Sequence, residues 1–360
     1  MQLAKKLKSV NALVYPQHLF YGPEWLVLGV NNICNLHCKM CDVGIGYNES
    51  NFSTNLIGSK PLHMPLELIK KVIDQAAEFY PNAKLGYAFT EPLVYTHLEE
   101  SLFYAQQNRL YTAITTNALT LPQKAKMLCD AGLGEINISL DGTQEIHNEI
   151  RGNAKSFQNA IKGIEELLKE ERHPDISVFF VITEWNIANM KAFVDYFKEY
   201  PLKRIGFMHT NFTPAHIAEN HNKIWGIDYH ATLSNTNEID IDKMDLLLLM
   251  DEINEIRNTT YPFEVSFSPN ISSMEQLKKF YLRPEELYGK KCNDASRNIM
   301  IKSDGTVIPA HGRCYNLKVG NLYEQNLKEV WNSEIISKLR VDLNKAGGLL
   351  PACSRCCSAF

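Results

Sequence analysis

Three cysteines stand within eight residues, Cys34-Asn-Leu-His-Cys38-Lys-Met-Cys41, directly after the apolar run Trp25-Leu-Val-Leu-Gly-Val-Asn31. Thiolates at i, i+4 and i+7 cannot serve a strand, whose alternate side chains point to opposite faces. On a loop that wraps back on itself they converge on one metal centre. Three protein ligands are one short of a closed zinc or iron–sulfur site, so the spacing predicts a centre with an open position. The competing reading is a zinc ion whose fourth ligand comes from His37 or Asp42. A second set of thiols, Cys292, Cys314, Cys353, Cys356 and Cys357, lies towards the C-terminus, and Cys129 stands alone.

The elements that must position these groups alternate. Strand-like runs cover 25–31, 84–89, 110–115, 134–140, 176–182 and 203–208, with helical patterns starting near Pro65, His97, Pro122, Ser156 and Ile187. Six strands joined by five helices predict parallel α/β with right-handed crossovers. In parallel barrels the chemistry sits at the C-terminal strand ends. Here those ends carry the cysteines, Thr90-Glu91-Pro92, Thr116-Asn117-Ala118 and Ser139-Leu-Asp141-Gly142. Each alone reads equally as a cap or turn; together they suit one small polar ligand. The long polar connection 42–62 is expected to act as a lid over substrate.

At 360 residues the chain has room for a large domain and a smaller one. Its hydrophobic content of 45% and charged content of 22% are those of a globular protein. A net charge of −4, with only Lys5, Lys6 and Lys8 as a basic cluster, offers no footprint for nucleic acid. No run of about 18 apolar residues is present to span a bilayer, and no signal-peptide core is visible. Nine cysteines without a secretion signal point to metal or redox use in a reducing compartment, hence a cytoplasmic location.

The C-x3-C-x2-C spacing after a first strand resembles the radical S-adenosylmethionine (SAM) enzymes. That resemblance implies a partial (βα)6 TIM-like barrel over residues 25–214 after an extension, 1–24. It implies that Cys34, Cys38 and Cys41 hold three irons of a [4Fe–4S] cluster whose fourth iron chelates SAM. One electron then cleaves SAM to a 5′-deoxyadenosyl radical, which abstracts a hydrogen atom from an organic substrate. Thr90 and Glu91 stand at the segment that takes the SAM ammonium, with Phe89-Thr90 in place of the family's two glycines. Asn117 lies in a segment resembling the family's Thr-Asn-Gly, and Ser139 and Asp141 resemble the pair that binds the ribose hydroxyls. Arg151 falls where an arginine engages the SAM carboxylate, while Met40 and Ile182 are placed to flank adenine, Ile182 equally reading as core.

After a bridging region, 215–290, with helical stretches at 242–256 and 274–281, the texture becomes hairpin-like around Asp304-Gly305. Residues 291–360, with Val319-Gly-Asn-Leu322, a helix over 327–341 and a terminal Cys-x2-Cys, resemble the cysteine-rich auxiliary-cluster (twitch/SPASM-like) domain, in its short twitch form. One auxiliary [4Fe–4S] cluster is implied, held by Cys292, Cys314, Cys353 and Cys356 with Cys357 spare. The family's usual cysteine after the hairpin is here Ala310, with Cys314 as substitute; failing it, Cys357 or substrate completes the site. A four-thiolate zinc is the alternative. Cys129 reads as a core thiol.

The expectation is a radical SAM oxidoreductase-type enzyme, its auxiliary cluster assisting redox, served by a flavodoxin- or ferredoxin-type electron donor. With residues 1–24 before the first strand and no cobalamin domain evident, a small metabolite, sugar or natural-product intermediate is favoured as substrate over a peptide. His209, Asn211, His311 and Arg313 are candidate substrate contacts. A non-catalytic iron–sulfur or zinc module is the reading from another class.

Overall fold

The computed structural model describes residues 2–58, 60–237 and 239–360; Met1, Ser59, Glu238 and the Lys5 side chain of the basic cluster lie outside the described residues. Strands β1 (Trp25–Gly29), β2 (Lys84–Tyr87), β3 (Thr112–Thr116), β4 (Glu135–Ser139), β5 (Asp175–Ile182) and β6 (Arg204–His209) run parallel in sequence order. The count of six falls short by one. Glu264–Ser268, inside the bridging region, forms a seventh parallel strand, β7, against β6. Its Glu-Val-Ser-Phe-Ser pattern buries only Phe267, so its hydrophobic signal is weak.

The C-terminal hairpin, β8 (Asn298–Lys302) and β9 (Thr306–Pro309), turns at Asp304-Gly305 as expected. Its first strand pairs parallel with β1 from Trp25↔Asn298 to Gly29↔Lys302, and β10 (Gly320–Asn321) adds to β9. Barrel and auxiliary region therefore share one ten-stranded sheet.

Amphipathic helices cover one face of that sheet. Leu66–Phe79 buries Leu68, Ile69, Val72, Ile73 and Ala76, and Ser156–Leu168 buries Phe157, Ala160, Ile161, Ile164 and Leu167, both at helical spacing. On β4, Ile136 and Ile138 go under this layer while Glu135, Asn137 and Ser139 stay partly open on the inner side. The N-terminal strand ends are closed by charge and aromatic contacts. Lys84 lies over Trp25 (5.1 Å) and Tyr111 (4.9 Å), and Glu135 pairs with Lys203 (3.2 Å) and Arg204 (3.7 Å). The opposite end is left for chemistry.

Two expectations about local structure change. The connection 42–62 contains the helix Asn51–Leu56, capped by Ser50 and docked on the auxiliary loop through Asn55 Nδ2, which donates to Gly312 O (3.0 Å) and Cys314 O (2.7 Å). The helix over 327–341 is two helices, Leu327–Trp331 and Glu334–Lys345. It breaks where Asn332 turns its amide to the backbone of Leu19, accepting from its N–H (3.0 Å) and donating to its carbonyl (3.1 Å). Among the described residues no helix is long and apolar enough to cross a membrane.

The tail that carries Cys353 and Cys356 is held by Arg355, almost wholly buried between them. Its guanidinium donates to the carbonyls of Phe280 (2.5 Å), Lys279 (2.7 Å), Arg283 (2.7 Å) and Glu286 (2.9 Å). Arg355→Met keeps the stem and strands these acceptors. At about 1–3 kcal/mol for a buried acceptor left unpaired, the variant should lose roughly 3 kcal/mol, read as a clear drop in Tm. An unchanged Tm would show that the tail is held by something else.

Candidate active site

The cysteine loop is laced to the strand ends beside it. Asn31, two residues past β1, donates from Nδ2 to Glu91 O (2.9 Å), while its Oδ1 accepts from Ile33 N–H (2.9 Å) and from the Thr90 hydroxyl (2.9 Å). Gly44 lets the loop fold tightly, since a Cβ there would sit 2.4 Å from Cys38 O. Gly152, at φ +66°, ends the helix Gln144–Arg151 and brings it under the loop, where Lys39 N–H donates to Ile150 O (2.9 Å). Met40 is buried in an apolar patch with Leu36, Ile150 and Ile239.

Glu91 is fully buried, and protein donors occupy both carboxylate oxygens. Oε1 accepts from Thr116 Oγ1 (2.7 Å) and Leu93 N–H (2.9 Å), and Oε2 from Asn117 N–H (2.8 Å). Burial pushes its carboxyl upward in pKa, and these hydrogen bonds pull the other way. Glu91 thereby forms a bracket between the ends of β2 and β3. Asn117 extends the bracket, donating from Nδ2 to Asn35 Oδ1 (2.8 Å). Phe89 (φ 64°) and Thr90 (φ 46°) adopt the left-handed backbone of the glycines they replace, as do Ala118 (φ 61°) and Ala310 (φ 56°).

Asp141 and Arg151 are paired with each other. Asp141 is fully buried; its Oδ2 accepts from Arg151 Nε (2.6 Å) and lies 2.5 Å from Arg151 Nη2, and its Oδ1 accepts from Val181 N–H (2.9 Å). Arg151 reaches from this pair to Cys38, with Nη1 at 3.6 Å from Sγ, so it is aimed at a thiol rather than at a free carboxylate. His147, which the sequence did not single out, braces the pair: its Nδ1 accepts from Asp141 N–H (3.1 Å) and its Nε2 meets Ser156 Oγ (2.9 Å). Ser139 remains partly exposed at the inner end of β4. Ile182 is corrected to core, with no exposure and its carbonyl accepting from the Thr210 hydroxyl.

Cys292, Cys314, Cys353 and Cys356 line a single cavity of about 80 Å³ together with His311, Arg313 and Tyr315. Ala310 is buried beside them, and Cys314 supplies the thiol from the lengthened loop. A mononuclear zinc, with Zn–S about 2.3 Å, draws its thiolates to roughly 3.8 Å of one another. Among the described residues, no three of the seven sulfurs of Cys34, Cys38, Cys41, Cys292, Cys314, Cys353 and Cys356 lie within 4.8 Å of one another. At the auxiliary site the ligand atoms that do lie within 4.8 Å of one another are those of His311, Cys356 and Cys357. Cys357 lies 3.5 Å from His311 Nε2 and shares that group with Cys356. Asp42 is tied to Ser234 Oγ (2.6 Å) and Asn235 N–H (2.9 Å), which removes it as a fourth ligand, and Cys129 packs partly buried against the main core.

The four suggested substrate contacts separate. His209 is buried, bonded through Nδ1 to Tyr281 OH (2.8 Å) and pushed down to about 3 in pKa by burial. His311 is buried on Ser358 Oγ (2.7 Å). Asn211 and Arg313 line the cavity, and the Arg313 guanidinium lies 4.1 Å over Phe52. Phe52 also belongs to the apolar cluster against which Cys41 packs.

A family model described as "Radical SAM superfamily" matches residues 29–197, and one described as "Iron-sulfur cluster-binding domain" (SPASM) matches residues 292–357. The chain is 23% identical over 345 residues to Fe-coproporphyrin III synthase of Methanosarcina barkeri, covering 92% of this chain and 80% of that protein. It is 28% identical over 148 residues to GTP 3',8-cyclase of Helicobacter pylori, covering 41% of this chain and 43% of that protein. Its fold is similar to Streptococcus suis SuiB bound to S-adenosylmethionine, with TM-score 0.62, 17% identity, and coverage of 94% of this chain and 72% of that one. It is also similar to anSMEcpe with bound AdoMet, with TM-score 0.59, 18% identity, and coverage of 87% and 81%.

Burial pushes the Cys38 thiol up to about 12 and Cys353 up to about 11. Cluster-free protein therefore holds these groups protonated at neutral pH, and taking up iron and sulfide must release protons. Reconstitution yield should rise between about pH 7 and about pH 9, with proton release registered by an indicator dye. Uptake that is independent of pH and releases no protons would contradict buried thiol ligands.

Proposed function

We propose that this chain, which belongs to the radical SAM superfamily and carries a C-terminal SPASM iron–sulfur domain, abstracts a hydrogen atom from a small organic substrate in a redox reaction. The two domains are those of [4Fe–4S] clusters, with SAM as the cofactor of the first. When bound, these groups supply the electron and the carbon radical of the chemistry. The protein's own residues do the rest. Cys34, Cys38 and Cys41 hold the first cluster, Arg151 sets positive charge beside Cys38, and the Glu91–Asn117 bracket keeps the loop in register. Cys292, Cys314, Cys353 and Cys356 hold the second.

The observation that carries this reading is Phe52. It belongs to the apolar cluster against which Cys41 packs, and it also lines the auxiliary cavity. Arg313 lies at that wall without a carboxylate partner among the described residues, and Asn211 adds an amide. A carboxylate-bearing metabolite suits this pair, since guanidinium and carboxylate form charge-assisted hydrogen bonds. A peptide substrate is the second reading, favoured by the likeness in fold to SuiB bound to precursor peptide SuiA. A flavodoxin- or ferredoxin-type protein would supply electrons in either case.

Anaerobic reconstitution followed by dithionite and SAM should yield 5′-deoxyadenosine and about eight irons per chain, two clusters of four. Absence of 5′-deoxyadenosine would sink the enzyme reading. Cys34→Ala with Cys38→Ala should abolish SAM cleavage, whereas Cys353→Ala with Cys356→Ala should leave it and reduce iron to about four per chain. Candidate substrates can be ranked by deuterium transfer into 5′-deoxyadenosine. With a carboxylate-bearing one, Arg313→Gln should raise KM about tenfold, the equivalent of about 1.4 kcal/mol. An unchanged KM would remove Arg313 from recognition.

A further inference from the structure

Tyr315 directly follows Cys314, and its hydroxyl lies 3.1 Å from Cys353 Sγ. The ring is buried at 6% exposure and stacked on His221, with centroids 5.3 Å apart and planes 20° apart; Tyr229 packs against it at 5.7 Å. Both neighbours are themselves fixed. His221 Nε2 meets Tyr229 O at 2.6 Å, and Tyr229 donates its hydroxyl to Asp342 (2.8 Å). The phenol is therefore held at one orientation by rings that are themselves anchored, His221 also accepting from Ala352 N–H (3.4 Å) beside Cys353.

In the cysteine-held cluster, Cys353 is a thiolate and has no proton to give, so the contact must run from O–H to sulfur. A donor of this kind withdraws charge from the sulfur. The reduced cluster carries one more negative charge than the oxidised one, so it gains more from the donor, and the potential rises. We propose that Tyr315 is a positioning residue of the auxiliary site, whose hydroxyl donates to the Cys353 thiolate and raises the reduction potential of the cluster held there. This rests on the reading that Cys292, Cys314, Cys353 and Cys356 hold a cluster. A raised potential biases that cluster towards accepting an electron from the substrate side rather than supplying one.

Tyr315→Phe removes one oxygen and keeps the stacked ring. The test is an EPR-monitored redox titration of reconstituted full-length protein. It uses a Cys34→Ala/Cys38→Ala background so that only the auxiliary signal is read. Tyr315→Phe should make the midpoint more negative at unchanged iron content. A tenfold change in the oxidised-to-reduced ratio corresponds to about 59 mV for a one-electron couple. Equal midpoints at equal iron content would overturn the proposal. If the variant cannot hold the cluster, hydrogen–deuterium ENDOR on the tyrosine-containing protein decides: an exchangeable proton coupled to the cluster supports the proposal, and its absence overturns it. Should this background bind no iron at all, the four-cysteine reading itself falls, and Tyr315 with it, on a different observation.

Discussion

The pairing of β1 on both of its edges is the constraint on which the rest of this molecule depends. One edge carries β2 and the barrel; the other carries β8 in register from Trp25↔Asn298 to Gly29↔Lys302. The first cysteine loop leaves the C-terminal end of β1, and the auxiliary loop leaves the hairpin hung on that strand's other side. Because a strand slip of one residue turns every side chain to the opposite face, register here is strongly specified. The separation between the two thiol groups is thus set by backbone hydrogen bonds rather than by a flexible linker.

Around the first centre, the charged residues work mainly on one another. Glu91 collects donors from two strand ends, and Asp141 collects Arg151 and Val181. Removing one partner of such a buried pair costs about 3–5 kcal/mol, because the other charge is left uncompensated. These side chains form a frame, and what they hold still is a loop of thiols with Met40 and an apolar patch around it. The auxiliary centre is framed differently. Tyr315 lines its cavity, backed by the rings of Tyr229 and His221, with the buried Arg355 holding backbone from behind.

Much of this was legible in the residues. The spacing of Cys34, Cys38 and Cys41 and the alternation of elements led to the barrel and the family, because ligand spacing and period are local properties. Cys314, read from the sequence as a ligand in place of Ala310, lines the auxiliary cavity, as does Ala310 itself. What was not legible is long-range. The parallel pairing of β8 with β1 joins residues far apart in sequence, and β7 has too few buried side chains to announce itself. Asp141 and Arg151 carry the right chemistry for a ligand, yet only their mutual distance shows that each is engaged by the other. The helix Asn51–Leu56 hid in a polar stretch because its apolar face is only Phe52 and Leu56.

Of the six residues with side chains that hold a backbone geometry glycine adopts freely, four are Phe89, Thr90, Ala118 and Ala310, and the other two are Arg109 and Asn235. All four lie in the loops at the two cysteine centres, and each such residue stores on the order of 1–3 kcal/mol that its surroundings must hold down. These loops are sprung. A glycine at any of these positions would release that tension and give the loop more freedom in exchange.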